Sequence, residues 1–161
     1  MKPSLSVVVP AYNEEENIVK CLENLDRYFR KSAYDYEIIV VNDGSRDKTV
    51  EVAKIHGALV ISNRRNRGLA ETFRAEMREC LRLGADIIVH TDADGQYHSK
   101  HIPELIQKVE LGYDLVLGSR FRGKIEEMPF LKRLGNAAFA EVLSSLTKVR
   151  ITDSTTGFRA F

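Results

Sequence analysis

Ile87-Ile88-Val89-His90-Thr91-Asp92-Ala93-Asp94-Gly95-Gln96 is an apolar run that stops at two carboxylates and then an amide, each separated by one residue. A β-branched run is typical of a strand buried on both faces, and the carboxyl ends of such strands form the ligand-binding edge of an open α/β sheet. Asp92, Asp94 and Gln96 carry oxygen atoms, which hard cations such as Mg²⁺ or Mn²⁺ prefer as ligands. The same residues suit an Asp-Gly turn that leads into a helix near Ser99. A metal site and a turn are both open at this point.

Short apolar runs alternate along the chain with amphipathic segments of helical length. The runs predict strands at residues 5–9, 36–41, 58–61, 86–91 and 114–118. Apolar residues at helical spacing predict three buried helix faces: Ile18, Leu22, Leu25 and Phe29; Leu69, Phe73, Met77, Cys80 and Leu81; and Ile102, Leu105, Ile106 and Val109. This order predicts a single α/β domain with three layers, α/β/α, and a mainly parallel, Rossmann-like sheet with right-handed crossovers.

Composition narrows the function classes. The 161 residues carry 24 Lys and Arg against 23 Asp and Glu, so the net charge of +1 gives no reason to expect a nucleic-acid partner. Cys21 and Cys80 fall on or beside helical stripes, as expected of buried free thiols in a reducing compartment. The apolar run before Pro10 is too short for a signal peptide, and no stretch has the length needed to span a bilayer. These features predict a cytoplasmic domain.

Polar clusters follow three of the predicted strands. Residues 10–14 (Pro-Ala-Tyr-Asn-Glu) follow the first and residues 42–45 (Asn-Asp-Gly-Ser) the second, so with the acidic cluster they would line one sheet edge as a nucleotide cleft. Asp43 suits either a contact with a base or ribose or an Asx turn with its neighbours, and Ser45 is expected to cap the next helix. The chain lacks G-x-G-x-x-G and G-x-x-x-x-G-K-[ST], which disfavours a dinucleotide dehydrogenase and a P-loop nucleotidase.

Taken together and in order, these motifs resemble those of the family-2 inverting glycosyltransferases with the GT-A fold, and most of all the dolichyl- or polyprenyl-phosphate sugar synthases. The resemblance runs through residues 7–14, 40–45, 66–69, 92–96, 118–120 and 153–159. It departs from the family at Asn42, where paired aspartates are usual, and at Phe161, where similar proteins continue. The domain is therefore expected to be truncated at its C-terminus.

The resemblance implies roles for individual residues. Residues 1–96 would form the half that binds the nucleotide sugar, and residues 97–161 an incomplete acceptor-side half. The residues implied to line the nucleotide site are Pro10, Ala11, Tyr12, Glu14 and Asp43. Asp92, Asp94 and Gln96 would hold Mg²⁺ or Mn²⁺ on the donor diphosphate, where the ion stabilises charge that develops on the leaving group.

A basic run follows the fifth predicted strand, and its cations are Arg120, Arg122, Lys124, Lys132 and Arg133. An acceptor hydroxyl needs a general base, whereas an acceptor phosphate is already ionised and needs cations to hold it. The run suits such a phosphate, or it is a solvated loop; the resemblance favours Arg120 and Arg133 as the acceptor contacts. Asp153 would orient one of these arginines or act as the base for a hydroxyl. Residues 63–68 form another basic cluster, suited to donor phosphates or to solvent.

The implied reaction is inverting transfer of a hexose from a GDP- or UDP-sugar to a polyprenyl phosphate at the cytoplasmic face of a membrane. Two alternatives remain: a transferase that acts on a saccharide or protein hydroxyl, and a nucleotide-sugar-binding module without activity. Residues 130–146 are apolar over most of a helix circumference. Packing against the rest of the protein is favoured for them over peripheral contact with lipid, because their cations lie only at the start of the segment.

Overall fold

The computed structural model describes residues 3–95, 97–120 and 130–161, with the backbone alone for residues 130–133. The strands are β1 (Ser4–Ala11), β2 (Asp35–Asn42), β3 (Leu59–Ser62), β4 (Ile87–His90), β5 (Val116–Leu117) and β6 (Arg159–Ala160). The helices are α1 (Ile18–Phe29), α2 (Thr49–Ile55), α3 (Leu69–Leu83), α4 (Ile102–Glu110) and α5 (Phe130–Thr147), with a 3-10 turn at Ser99–His101.

The strands form one sheet in the order β3-β2-β1-β4-β6-β5. β3, β2, β1 and β4 are parallel, which confirms the predicted mainly parallel sheet, and β6 runs antiparallel to both of its neighbours. β6 was not predicted, and β5 is shorter than predicted. A strand of two residues is too short to show the alternation of apolar and polar residues by which strands are predicted, and its pairing partners lie far away along the chain.

The first strand is longer than predicted and includes Pro10 and Ala11, which pair with Val41 and Asn42. Proline has no N–H to donate, so it is rare inside sheets. β4 pairs with β1 only as far as Val8, so the strand has a single neighbour where Pro10 lies. This one-sided end of β1 places the residues that follow at the edge of the sheet.

Helices cover both faces of the sheet, as a three-layer domain requires. α1, α2 and α4 pack on one face, where Val7, Val9 and Val40 point, and α3 packs on the other, where Val8 and Ile39 point. Both cysteines are free and buried, Cys21 in the first cluster and Cys80 in the second. The core therefore lies in two layers on either side of β1, β2 and β4.

The buried face of α3 differs from the predicted one. Leu69 and Leu81 are 68% and 72% exposed, while Thr72, Glu76 and Cys80 face the sheet. Cys80 of the predicted stripe is buried, and Phe73 and Met77 are partly buried, so the inward face is turned away from Leu69 and Leu81 toward Thr72 and Glu76. A carboxylate is therefore placed in the interior, where only a specific partner makes it tolerable.

The start of α2 also differs from expectation. Ser45 does not cap this helix, because its hydroxyl accepts a hydrogen bond from the Asn13 amide at 2.9 Å. The N-cap residue is Lys48, which makes no side-chain capping bond, and the Asp47 carboxylate before it accepts from the Thr49 amide at 3.0 Å. The polar residues after β2 therefore bind the loop that follows β1.

The last helix, α5, leaves much of its apolar surface uncovered. Leu134, Phe139, Val142 and Leu146 are all more than half exposed. Its C-terminal end is tied to the following segment by Ser144, whose hydroxyl donates to the Ile151 carbonyl at 3.0 Å. Within the described ranges, no helix is both long enough and apolar enough to cross a membrane.

Candidate functional site

The loops that follow β1 and β2 are joined by hydrogen bonds in both directions. The Asn13 amide donates to Ser45 at 2.9 Å, and the Asn13 side-chain oxygen accepts from the Arg46 amide at 2.9 Å. The Glu14 amide donates to the Thr49 hydroxyl at 2.8 Å. Asn13 has a φ of 56°, a left-handed conformation that asparagine adopts more readily than most residues. The two loops therefore form one fixed rim at the strand ends.

The residues predicted to line a nucleotide site lie on or next to this rim. Pro10 and Ala11 end β1, and the Ala11 carbonyl accepts a hydrogen bond from the Asp43 amide at 2.9 Å. Tyr12 is 45% exposed, so its ring is accessible to a ligand. Glu14 begins the turn into α1, and its carbonyl accepts the Ile18 amide at 2.8 Å. The structure thus brings Pro10, Ala11, Tyr12 and Asp43 together.

The Asp43 carboxylate is occupied by a third loop, the one that follows β3. It accepts hydrogen bonds from the Asn63 side chain at 2.8 Å and from the Arg67 and Gly68 amides at 2.9 Å each. Burial acts to raise the pKa of Asp43, but these hydrogen bonds outweigh it and hold the pKa below its usual range. The Asp43 carboxylate thus clamps the basic segment 63–68 to the rim. This role was not predicted, since the sequence suggested either a base or ribose contact or an Asx turn.

Gly44 lets the same loop approach. Its φ is 77°, and a β carbon there would lie 2.5 Å from the Arg65 carbonyl carbon and 2.6 Å from the Asn66 nitrogen. Both atoms belong to the backbone, so a side chain at residue 44 would push the loop away. Glycine is therefore required at this position by both backbone conformation and space.

Asn42, the departure from the family pattern, has an internal role. Its side-chain oxygen accepts from the Ser45 amide at 2.9 Å, and its side-chain nitrogen donates to the Ser62 hydroxyl at 3.2 Å. The side chain is buried. It therefore fastens β2 to the start of the β3 loop, while Asp43 presents the carboxylate next to it.

The predicted acidic cluster follows β4. Asp92 is partly buried and Asp94 is exposed. Burial raises the pKa of Asp92 and the charge of Asp94 raises it further, although His90 and Arg159 oppose the shift. Carboxylate oxygens are ligands that Mg²⁺ or Mn²⁺ prefers, and a cation bound at these two residues would offset the repulsion between them.

The third predicted ligand, Gln96, lies outside the described residues. In the part of the chain that is described, no three His, Cys, Asp or Glu side chains come together as a metal cluster. Asp92 and Asp94 are therefore the described members of the predicted ligand set.

The 153–158 segment, for which no contact with the acidic cluster was predicted, packs directly against that cluster. A β carbon on Gly157 would overlap the Asp92 carboxylate, so the backbone of Gly157 is in contact with that side chain. The Gly157 amide donates to the Tyr97 hydroxyl at 3.1 Å, and the Tyr97 ring stacks on Phe158 with centroids 5.1 Å apart. Tyr97 and Gly157 are 60 residues apart, and no local pattern links them.

Arg120 and Asp153, both predicted as catalytic, form an ion pair next to this segment. Arg120 Nε and Nη2 donate to the two Asp153 oxygens at 2.8 and 3.0 Å, and the Arg120 amide adds a third bond at 3.1 Å. Thr155 accepts from Nη2 at 2.7 Å. Asp153 is 1% exposed, and although burial raises its pKa, the bonds from Arg120 lower it below the usual range. Of its two predicted roles, the geometry matches the orientation of Arg120.

The other predicted acceptor contact is not described at the level of its side chain. The backbone of Arg133 belongs to α5, and residues 121–129, which include Arg122 and Lys124, lie outside the described ranges. Arg133 therefore stays a prediction. Gly157 contacts Asp92, and four residues earlier in the same segment Asp153 holds Arg120.

Comparison with known proteins places these features in a family. Residues 6–161 match the model of the family described as glycosyl transferase family 2. A dolichyl-phosphate hexose transferase of Haloferax volcanii is 37% identical over 157 residues, which cover 98% of this chain and 65% of that protein. A dolichol-phosphate mannosyltransferase of Pyrococcus furiosus is 34% identical, with coverage of 97% of this chain and 45% of that protein.

The comparison with solved structures concerns the fold. Glucosyl-3-phosphoglycerate synthase from Mycobacterium tuberculosis, in complex with Mn²⁺ and UDP-glucose, superposes with a TM-score of 0.71 at 25% identity, over 98% of this chain and 55% of that one. This likeness confirms the predicted GT-A fold. The chain spans 65% of the length of two archaeal relatives and little more than half of the synthase. With the family model matched from residue 6 to the last residue, the chain belongs to glycosyl transferase family 2.

Proposed function

We propose that the chain forms the catalytic GT-A part of an inverting, metal-dependent enzyme that transfers a hexose from a GDP- or UDP-sugar to a polyprenyl phosphate. Relatives named for transfer to dolichyl phosphate support this acceptor. A structural neighbour bound to Mn²⁺ and UDP-glucose supports a nucleotide sugar as donor.

The observation that carries the proposal is that the Asp153 carboxylate is fully engaged in hydrogen bonds from Arg120. A general base must be within reach of the acceptor proton and have a pKa near the working pH. Asp153 is buried, accepts three hydrogen bonds from Arg120, and has a lowered pKa. An acceptor phosphate needs no base, since it is ionised at neutral pH, but it does need an oriented cation. Arg120 meets this need, because its guanidinium is held in place and its side chain is 22% exposed.

The donor would lie against the rim formed by the loops after β1, β2 and β3. Tyr12 offers an exposed ring, and the Asp43 clamp holds the basic segment 63–68 next to the strand ends. Asp92, Asp94 and Gln96 are the residues proposed to hold Mg²⁺ or Mn²⁺. When bound, the ion would neutralise charge on the donor diphosphate as the sugar leaves.

Inversion requires the acceptor oxygen to attack the sugar carbon from the side opposite the leaving diphosphate. Arg120 follows β5 and Asp92 follows β4, with β6 between these strands in the sheet, and the ion pair with Asp153 fixes the guanidinium. A cation fixed there would orient an acceptor phosphate toward the donor sugar and lower the entropy cost of bringing them together. Arg133 is proposed as a second contact with the same phosphate.

A polyprenyl chain is embedded in lipid, so the reaction is proposed to take place at the cytoplasmic face of a membrane. The exposed apolar side chains of α5 are available for packing against other protein or for peripheral contact with lipid. Binding to vesicles that contain polyprenyl phosphate, compared with the variant Val142→Lys, would show which surface α5 contacts.

The test is a set of binding and rate measurements on the intact protein. Calorimetry with GDP, UDP and their sugars, with Mn²⁺ or with EDTA, should show metal-dependent binding of one nucleotide. Transfer to polyprenyl phosphate should then be detected, with no transfer to polyprenol or to saccharides. Arg120→Ala and Arg133→Ala should weaken use of the acceptor and leave donor affinity unchanged, whereas Arg82→Ala, which removes a surface cation, should change neither.

Two other results would replace the proposal. Transfer to a sugar or protein hydroxyl, insensitive to loss of both arginines, would assign the protein to the first alternative. Nucleotide-sugar binding without turnover on any acceptor would indicate a binding module.

A further inference from the structure

Two ionisable side chains are fully buried beneath the candidate site. Glu76 on α3 is 0% exposed and His90 on β4 is 2% exposed. Glu76 Oε2 lies 3.1 Å from His90 Nε2, which is an ion-pair distance, although the angles are not those of a hydrogen bond. The opposite ring nitrogen, Nδ1, lies 2.5 Å from the Gly157 carbonyl oxygen.

The contact with Gly157 shows that Nδ1 of His90 carries a hydrogen. A carbonyl oxygen can only accept, so Nδ1 is the donor and Nε2 is the atom that faces Glu76. The ring is also packed against Phe73, with centroids 5.8 Å apart, so its orientation is restricted. Glu76 therefore acts on one side of a ring whose other side holds the Gly157 backbone.

Such a pair is a poor way to gain stability. Replacing a buried ion pair with apolar residues of similar size is often neutral or stabilising, because removing two charges from water costs more than their attraction returns. The predicted apolar stripe of α3 includes Leu69 and Leu81, which are exposed, whereas Glu76 is buried. A geometric role accounts for the pair better than stability does.

The geometry in question is that of the 153–158 segment. Gly157 is held from two sides, through its carbonyl by His90 and through its amide by the Tyr97 hydroxyl at 3.1 Å. Its backbone contacts the Asp92 carboxylate, and four residues earlier Asp153 holds Arg120. A shift at Gly157 would therefore move the surroundings of Asp92 and the support of Arg120 together.

We propose that Glu76 and His90 are positioning residues that hold the Gly157 backbone against Asp92 and so set the distance between the metal-binding carboxylate and the acceptor arginine. The inference rests on the proposed function for the roles of Asp92 and Arg120. Substitution of residues that support metal ligands without binding the metal commonly lowers metal affinity or activity about 10- to 100-fold.

The main test is the double variant Glu76→Leu/His90→Leu, which buries no charge and should therefore fold. Mn²⁺-dependent nucleotide affinity should fall about tenfold or more relative to the parent, with a thermal midpoint close to the parent's. Glu76→Gln should stay near the parent, because it keeps the shape of the side chain while Nδ1 of His90 keeps its contact with Gly157. Glu79→Gln, the same substitution at the surface of α3, is the matched control.

Amide hydrogen exchange provides a readout that does not depend on activity. In the double variant, the amides of Gly157 and Thr155 should exchange at least tenfold faster, while those of β1 should be unchanged. Two results for the double variant would overturn the inference. One is exchange at Gly157 as slow as in the parent; the other is Mn²⁺-dependent nucleotide affinity equal to the parent's, where the parent does bind Mn²⁺. If the parent shows no metal-dependent binding, the proposed function fails, and the exchange rates still decide whether Glu76 and His90 position Gly157.

Discussion

Breaking the ion pair between Arg120 and Asp153 distinguishes a positioning carboxylate from a general base. Two charge-assisted bonds of 2.8 and 3.0 Å join the side chains. A hydrogen bond to a charged group contributes about 1.5–3 kcal/mol, and a fully buried pair costs about 3–5 kcal/mol when one partner is lost. Because the Arg120 side chain is 22% exposed and that of Asp153 is 0% exposed, we expect about 2–3 kcal/mol for Asp153→Asn.

The assay combines urea unfolding with initial rates against acceptor concentration. If Asp153 acts through Arg120, Asp153→Asn and Arg120→Ala should each lower kcat/KM for polyprenyl phosphate by roughly 30- to 150-fold, the equivalent of 2–3 kcal/mol. The double variant should be no worse than Arg120→Ala alone, because both changes remove the same oriented guanidinium. Donor affinity should be unchanged in all three proteins.

A surface pair of the same chemistry provides the control. Asp26 and Arg30 are in contact at 2.7 Å, but their side chains are 36% and 75% exposed. Asp26→Asn should therefore cost less than about 1 kcal/mol in unfolding free energy and leave the kinetics unchanged. The reasoning would be refuted if Asp153→Asn lowered kcat far more than Arg120→Ala does, if the two losses added, and if the acidic limb of the pH–rate profile disappeared. That result would identify Asp153 as a base.

Three further predictions concern the donor side and acid stability. Asp94→Asn preserves shape and removes one charge, so Mn²⁺-dependent nucleotide affinity should fall at least about tenfold while unfolding free energy changes by less than about 0.5 kcal/mol; equal affinities with EDTA and Mn²⁺ in both proteins would contradict a metal role. Asp43→Ala should weaken binding of the nucleoside and the nucleoside diphosphate alike, and Gly44→Ala, which displaces the 63–68 loop without touching the carboxylate, should do the same if the clamped loop matters; parent-like nucleoside affinity in Asp43→Ala would leave Asp43 with a structural role alone. Because hydrogen bonds lower the folded-state pKa of Asp153, its stabilisation is complete above its unfolded pKa of about 3.9 and is lost as pH falls through the folded value. The urea midpoint should drop more steeply below about pH 4 in the parent than in Asp153→Asn, and parallel curves would show that the pair contributes nothing.

Local pattern was sufficient for the framework of this protein. β-branched runs predicted β1, β2 and β4 because burial on both faces of a parallel sheet demands continuous apolar residues. The positions of Tyr12, Asp43 and Asp92 at one edge followed from strand direction alone, since parallel strands end on the same side. The alternation of strand-like apolar runs with helix-like apolar spacing predicted the three layers. The order of the motifs carried the family resemblance, which the family model confirms.

The choice of partner for each polar side chain was decided only by the tertiary structure. Asp43 clamps a loop 24 residues away and Asp153 holds an arginine 33 residues away, and no periodicity relates such positions. Glu76 lies outside the predicted apolar stripe of α3, yet it is buried against His90, because the rotation of a helix depends on the sheet it packs against as well as on its own stripe. A carboxylate can bind metal, accept a proton or fasten a loop. Its sequence neighbours indicate that it is available, and the groups that surround it in space determine its pKa and its geometry, and with them its role.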